Sequence, residues 1–559
     1  MTHVITQNCC NDASCVSVCP VNCIHPTPGE PGFATAEMLY IDPDSCIDCG
    51  VCVDACPVGA IDPDFDMAQR SVKFEELNAR YFLDPANRNY SPTPDRKSVP
   101  NRPPLRDETL RVAIIGSGPA ANYAAEELLS QPGCATTVDM FERLPVPWGL
   151  VRHGVAPDHE QTKAVTKEYS RTFGREGFRL FLNVEIGTTI THRDLARHYH
   201  AVIYAVGAMA DRPLDIPGDS LTGSHSATEF VAWYNGHPDY ADMNFDLSGE
   251  RAVVIGNGNV ALDVARILLS DISTLQRSDI ADHALAELAK SNVREVVVVG
   301  RRGPAQAAFS TAELLGLASA PGIDLRTEPP ESEIDDQMWE TLGSQEHSIV
   351  RYKANLISEF GARPEENDRR IVMRFLMSPK EIVGDNRVES IRFVRNELVV
   401  KQKQVSAIET GAIEELPCSL VLRAVGYRGE PLPELPFDHV RGVLPNLRGR
   451  VLTPETGSPI AGVYAAGWIK RGSTGVIGTN KQCARETVKV LIEDWFAGKL
   501  PALTASVDVA EQLPGRLDLE GWMAIDNVET KAGRAASRPR VKIVDRAKML
   551  EVARGVVGS

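Results

Sequence analysis

The sequence predicts an α/β protein with two Rossmann-like dinucleotide-binding domains behind a small N-terminal α+β domain rich in cysteine. Three observations predict it. Two strand–glycine-turn–helix segments, beginning at Leu110 and Arg251, have the pattern of βαβ nucleotide-binding units. Most of the 12 cysteines are gathered near the N-terminus. A proline-rich stretch without hydrophobic periodicity separates the two regions.

The run Cys46-Ile47-Asp48-Cys49-Gly50-Val51-Cys52-Val53-Asp54-Ala55-Cys56-Pro57 has the C-x2-C-x2-C-x3-C-P spacing of a bacterial ferredoxin ligand segment. Three closely spaced thiolates wrap one cubane, and the proline turns the chain so that the fourth, Cys56, reaches a different cluster. The second segment is Cys9 to Pro20, which puts Cys9, Cys15 and Cys19 on ligand positions and Asp12 where a cysteine would stand. By the cross-over rule Cys19 joins Cys46, Cys49 and Cys52 on a complete [4Fe–4S] cluster, while Cys56 joins Cys9 and Cys15. The latter site fits either a [3Fe–4S] cluster or a [4Fe–4S] cluster with Asp12 as fourth ligand. Cys10 and Cys23 receive no role. Zinc ribbons also use C-x2-C pairs, but two proline-terminated runs in pseudo-repeat match a two-cluster ferredoxin better.

Residues 1–69 contain no Lys or Arg and carry ten acidic side chains, Asp12 and Asp48 among them. Such an acidic body either steers encounter with a basic partner or simply aids solubility. The segment from 70 to about 84 could form a short helix, after which Pro85, Pro92, Pro94, Pro100, Pro103 and Pro104 mark a stiff connector. The cluster domain is thus expected over 1–69 and a linker over 70–107.

Leu110–Ile115 then reads as a buried parallel strand running into Gly116-Ser117-Gly118-Pro119-Ala120 and an Ala/Leu-rich helix. The glycines permit a tight turn and close approach to a pyrophosphate at the helix N-terminus, and Glu142 at the end of the next strand can accept from a ribose diol. The second copy runs from Arg251–Ile255 through Gly256-Asn257-Gly258-Asn259-Val260 into a helix. Its following strand, Val296–Val299, ends in Gly300-Arg301-Arg302, cations where the first copy has an acid. Two guanidiniums suit a 2′-phosphate and an acid repels one, so the second unit takes NADP and the first is left for FAD. Nothing in this part offers the C-x-x-C pair of a disulfide reductase. Hydride transfer from nicotinamide to flavin, with single electrons passing to iron–sulfur clusters, is what remains.

From Leu144 to His159, and again at Asp211-Arg212, Gly256–Arg266, Gly300–Pro304, Ala466–Trp468 and Gly475–Asn480, the chain resembles the adrenodoxin reductase family, over roughly residues 109–500. With the cluster module in front, the whole resembles the fused ferredoxin/ferredoxin–NADP reductases of mycobacteria. The resemblance implies an FAD domain in two pieces, 108–209 and 428–497, with the NADP domain, 210–427, inserted between them and an extension over 498–559. It implies that Ala120, Glu142, Leu150 and Ile186 line the FAD and that Trp468, Gly475, Val476 and Ile477 close over its ring. On residue chemistry alone, Leu150 and Ile186 could be plain core and Trp468 a structural aromatic. For NADP it implies Arg212, Asn257, Gly258, Asn259, Val260, Arg301, Arg302, Glu313 and Gly475. His159 resembles the family's flavin-side histidine, suited to proton relay. The family often carries an acid three positions beyond Glu313, where this chain has Gly316.

The net charge of -16 excludes a nucleic-acid binder, and no apolar run approaches the roughly 20 residues of a membrane span. Cysteine usage and the absence of a leader pattern fit the cytoplasm. The basic run Lys531 to Lys548 could be ordinary surface or a docking face for the acidic module. The expected partners are NADP(H), a ferredoxin (its own domain or an external one) and downstream redox enzymes. A flavoprotein subunit feeding a separate catalytic protein, or a redox sensor without turnover, are the competing readings.

Overall fold

The computed structural model describes residues 2–66, 72–88, 90–91, 108–328, 348–401 and 404–555. A seven-stranded sheet is built around Leu110–Ile115, which pairs in parallel with Thr136–Glu142 on one side and Ala201–Tyr204 on the other. Near-continuous runs such as Val112–Ile115 are buried because helices cover both faces. The strand Pro459–Ala465, far along the chain, completes this sheet beside Ala201–Tyr204. The second sheet has six parallel strands, with Arg251–Ile255 between Leu420–Arg423 and Glu295–Val299. The chain leaves the first sheet and returns to it through two short strands, Ala210–Asp211 and Tyr427–Arg428, which pair antiparallel. An antiparallel three-stranded sheet, Met377–Val383 with Ser390–Lys401 and Gln404–Pro417, flanks the second domain.

The cysteine domain pairs His3–Ile5 with Ile61–Pro63 and Ile24–His25 with Tyr40–Ile41, and carries two five-residue helices, Ser14–Val18 and Val51–Ala55. Each helix ends at a cysteine whose backbone is extended, Cys19 and Cys56, one residue before the proline.

The expected linker begins later than its composition suggests. Val72–Tyr81 is a helix whose Phe74, Leu77 and Asn78 are buried against the cysteine domain. Asn78 accepts from the Ile41 and Ile5 amides at 2.9 and 3.3 Å and donates to the Ile5 carbonyl at 2.9 Å. Pro85 opens a further turn of helix to Arg88. The remaining prolines of the connector lie outside the described residues.

The C-terminal extension packs as two helices, Leu519–Ala535 and Arg546–Ala553, on the first domain. Trp522 meets Trp148 edge to face at 4.8 Å, and Glu529, fully buried, accepts from Arg152 and Arg540. Part of the basic run Lys531 to Lys548 is thereby turned inward. Arg538 and Lys542 are buried and bind Ser278 carbonyl and Asp279, and Arg540 binds Asp526 and Glu529. These three cations neutralise internal carboxylates and carbonyls, whereas Lys531, Arg534 and Lys548 of the same run are exposed.

Candidate functional site

Both glycine turns use their first glycine in the same way. Gly116 has φ of +98°, and a Cβ there would stand 2.6 Å from the Ala205 carbonyl oxygen; Gly256 has φ of +112° and 2.3 Å to that of Ala424. Only glycine lets the chain turn this close to the neighbouring strand end. Each turn leads to a helix, starting at Pro119 or Asn259, whose first residues line the cleft. Glu142 accepts from Ser117 N at 3.2 Å and Oγ at 2.7 Å, which holds its carboxylate beside the first turn.

One long cleft is lined by Gly116, Gly118, Ala120, Glu142, Leu150, His159, Asn259, Val260, Glu313, Trp468, Gly475, Val476 and Ile477. It joins the strand ends of both domains, the place where open α/β sheets bind ligands. Trp468 donates from Nε1 to the Thr474 carbonyl at 3.0 Å, so its indole braces the Gly475–Ile477 loop. Ile186 lies apart from this cleft, half-buried against the core on the other face of the first sheet. Asn257, Gly258, Arg212, Arg301 and Arg302 also lie off the cleft. Asn257 packs against Gly300, which places the following Arg301 and Arg302 beside the second glycine turn. Both arginines, and Arg212, are exposed and form no ion pair among the described residues.

His159 sits where the two domains meet. Arg266 Nη2 donates to its Nε2 at 3.0 Å, so the neutral ring carries its proton on Nδ1. Arg266 also binds Asp158 and Asp263, and burial draws its guanidinium down to about 10. Ligand-type atoms of His159, Asp263 and Glu313 all lie within 4.8 Å of one another. Asp263 and Arg266 received no role from the sequence, although both fall in the helix after the second glycine turn.

The cysteines gather in two sets. Cys19, Cys46, Cys49 and Cys52 line one cavity, together with His3 and Cys23. Cys23 lies 3.4 Å from Cys19, sulfur to sulfur, and its hydrogen bonding draws the Cys19 thiol down to about 6 and that of Cys46 to about 4. The Cys19-Pro-Val-Asn-Cys23 spacing was its only trace in the sequence. Cys9, Cys15 and Cys56 form the other set, each within range of the charge on Asp12. Burial pushes Cys9 up to about 11 and Cys52 up to about 12. Thiols sunk so deeply ionise with difficulty unless a metal compensates the charge, which is what cluster iron does. The donor sets therefore fit iron–sulfur clusters. Asp12 is already committed: it accepts from Ser14 N at 3.1 Å, from Ser14 Oγ and from Lys481 Nζ at 3.0 Å.

The cysteine domain is docked on both nucleotide domains. Gly478 N donates to the Cys10 carbonyl at 2.7 Å, Lys353 to Glu37 at 2.9 Å, Gln7 to Glu313 at 2.8 Å, and Asn8 to Gln161. Gln7, Asn8, Cys9 and Cys10 line the same cleft as the two glycine turns. No sequence signal identified Gln7 or Asn8, because their part depends on where a separate domain comes to rest.

The match to a pyridine nucleotide-disulphide oxidoreductase family covers residues 110–328, and that to a 4Fe-4S binding domain covers 39–62. The probable ferredoxin/ferredoxin–NADP reductase of Mycobacterium tuberculosis H37Rv is 48% identical over 567 residues, covering 99% of this chain and 95% of its own. The chain belongs to the ferredoxin/ferredoxin–NADP reductase family. The NADPH-ferredoxin reductase FprA of the same bacterium is 47% identical over 461 residues, covering 79% of this chain and 99% of its own. The structure of FprA in complex with NADPH superposes with a TM-score of 0.74 at 45% identity, covering 80% of this chain and all of FprA. This reductase is thus an FAD- and NADP-type oxidoreductase with an iron–sulfur domain at its N-terminus. Among the described residues, the nucleotide domains hold Cys134, Cys418 and Cys483 at separate places, none of them lining the cleft. No helix among the described residues is long and apolar enough to cross a membrane.

Proposed function

We propose that the chain moves electrons between NADP(H) and its own two-cluster ferredoxin domain by way of FAD. The observation that carries this is the shared cleft: Cys9 and Cys10 form part of the wall that Gly118, Trp468 and Val476 complete. When bound, FAD exchanges a hydride with the nicotinamide and passes electrons singly to iron–sulfur centres. The glycine turn at Gly116–Ala120 and Glu142 hold the dinucleotide, while Trp468 and Gly475–Ile477 shield its ring from water. Arg301 and Arg302 take the 2′-phosphate of NADP, with Arg212, Asn257, Gly258, Asn259 and Val260 along its length. His159, with its proton on Nδ1, is the group for proton exchange near the flavin.

Cys9, Cys15 and Cys56 hold a [3Fe–4S] cluster beside the cleft, since the Asp12 carboxylate is spent on Ser14 and Lys481. Cys19, Cys46, Cys49 and Cys52 hold the outer [4Fe–4S] cluster. Cys49 is exposed there, with Ile47 and Val51 at 59% and 42% exposure and Asp54 nearby. That face suits a redox partner with an apolar patch and a basic rim, whether an external ferredoxin or a downstream enzyme. Twelve cysteines without a disulfide among them fit a reducing cytoplasm.

The test is an anaerobic titration of the intact protein with NADPH, reading flavin bleaching optically and the clusters by electron paramagnetic resonance. Bleaching with reduction of both clusters, starting from an oxidised sample that already shows the paramagnetic [3Fe–4S] signal, is expected. Flavin that stays oxidised would sink the reading, and an oxidised sample silent in resonance would remove the three-iron assignment.

A further inference from the structure

We propose that the ferredoxin domain is a wall of the NADP(H) site, and that its Gln7 is a positioning residue for Glu313. This rests on the reading above, in which the cleft that Glu313 lines takes NADP(H). Gln7 Nε2 donates to Glu313 Oε2 at 2.8 Å across 306 residues of sequence. Gly316 lies one helical turn after Glu313 on the helix Thr311–Leu317. A Cβ at 316 would stand 2.2 Å from Gln7 Oε1 and 2.3 Å from its Nε2. Any side chain at 316 would therefore displace the Gln7 amide, which the bare Gly316 admits.

The placement is braced at both ends. Thr6 donates to the Ala60 carbonyl from its amide at 2.8 Å, and Cys9 N donates to the Thr6 carbonyl at 3.2 Å, so the backbone around Gln7 is tied into its own domain. Glu37 of the same domain accepts from Thr311 N at 2.7 Å and from buried Lys353 at 2.9 Å, which secures the start of the helix that carries Glu313. The ferredoxin domain thus grips this helix at two places. Glu313 lines the cleft beside His159 and Asp263, with ligand-type atoms of the three within 4.8 Å of one another. A fixed amide donor on one carboxylate oxygen leaves the other oriented before the ligand arrives, so ordering is not charged against binding.

The experiment uses the full-chain holoenzyme with flavin and iron content checked for each variant. It measures the Kd for NADP+ from the flavin difference spectrum, and KM and kcat for NADPH with a soluble one-electron acceptor. Gln7→Met keeps the length and removes the donor; Gly316→Ala pushes the amide away; Gln7→Ala with Gly316→Ala removes both the amide and the clash. Gln7→Met and Gly316→Ala are each expected to raise Kd and KM about fivefold to tenfold, with kcat held within twofold. In the Gln7→Ala background Gly316→Ala should add less than twofold, because nothing is left for the new methyl to displace. A domain that had merely loosened would change kcat or cluster content instead. Kd within twofold of the parent in Gln7→Met, or a Gly316→Ala effect that persists undiminished in the Gln7→Ala background, overturns the proposal. Glu313→Gln separates the two levels. If it weakens NADP+ while Gln7→Met does not, the positioning role alone fails; if neither changes Kd, the assignment of Glu313 falls and this proposal with it.

Discussion

His153 and His237 meet edge to face, with ring centroids 4.8 Å apart, between the short helix Leu150–His153 of the first domain and the loop before Pro238 of the second. Burial draws His237 down to about 4 and His153 well below its ordinary value, and Arg143 and Arg546 near the first and Arg152 and Lys542 near the second add to the effect. Asp239 opposes it at His237 without reversing the sign. Both rings are therefore neutral in the folded protein and take up protons more readily when unfolded. Stability should be full above the unfolded value of about 6.5 and fall as pH drops from there toward 4, by about 1.4 kcal/mol per pH unit for each histidine. Denaturant unfolding at pH 7 and pH 5 checks this: the loss on acidification should shrink in His237→Gln, and an unchanged loss would clear His237 of the effect. At this scale the sequence was legible for residues set by local geometry. Gly116, Gly256 and Glu142 stand where their turns and strand end put them. Asp263, Arg266 and Gln7 were not legible, since each acquires its partners from another segment.

The helix Val72–Tyr81 shows how an element can be misjudged by composition. It carries Phe74, Leu77 and Asn78 inward, with Arg80 and Glu76 paired on the outside at 2.8 Å. A helix there was readable; its allegiance was not, because a polar residue at the buried position argues for a loose segment until its partners are known. Asn78 satisfies backbone groups of two different strands, so Asn78→Leu would leave two buried amides and a carbonyl unpaired. The expected cost is about 3 kcal/mol or more. In a thermal scan the loss of iron–sulfur absorbance should move to lower temperature while the flavin transition stays in place. An unmoved cluster transition would mean that the helix is dispensable to the ferredoxin domain.

At the scale of the whole molecule, the ferredoxin domain is held by acid-on-base pairs and one close backbone contact. Asp12 meets Lys481 and Glu37 meets Lys353, so part of the acidic surface finds its basic complement within the same chain. Gly478 lies against the turn Cys10–Asp12, where a Cβ would stand 2.2 Å from Asp12 N and 2.4 Å from Asn11 C. Those are backbone atoms and cannot swing aside. Gly478→Ala should lift the domain off the cleft, slow cluster reduction by NADPH at least tenfold and raise hydrogen exchange across residues 9–15. Lys481→Glu should act in the same direction. Cluster reduction at the parent rate in Gly478→Ala would mean that the contact does not govern electron passage.

The sequence by itself determined the two glycine-turn units, the cysteine runs that the structure gathers into two sets, and the family. These are local features, written in spacing of a few residues because a turn, a helix start or a cluster ligand run is built from neighbours in the chain. The tertiary structure alone decided where the ferredoxin domain sits, what the basic tail neutralises, that Asp12 is engaged by Lys481, and that Gln7 reaches Glu313. Those outcomes depend on contacts hundreds of residues apart, such as the 469 between Asp12 and Lys481, and no local pattern encodes them. They follow from burying one domain against two others, where every charged or polar group removed from water must find its partner.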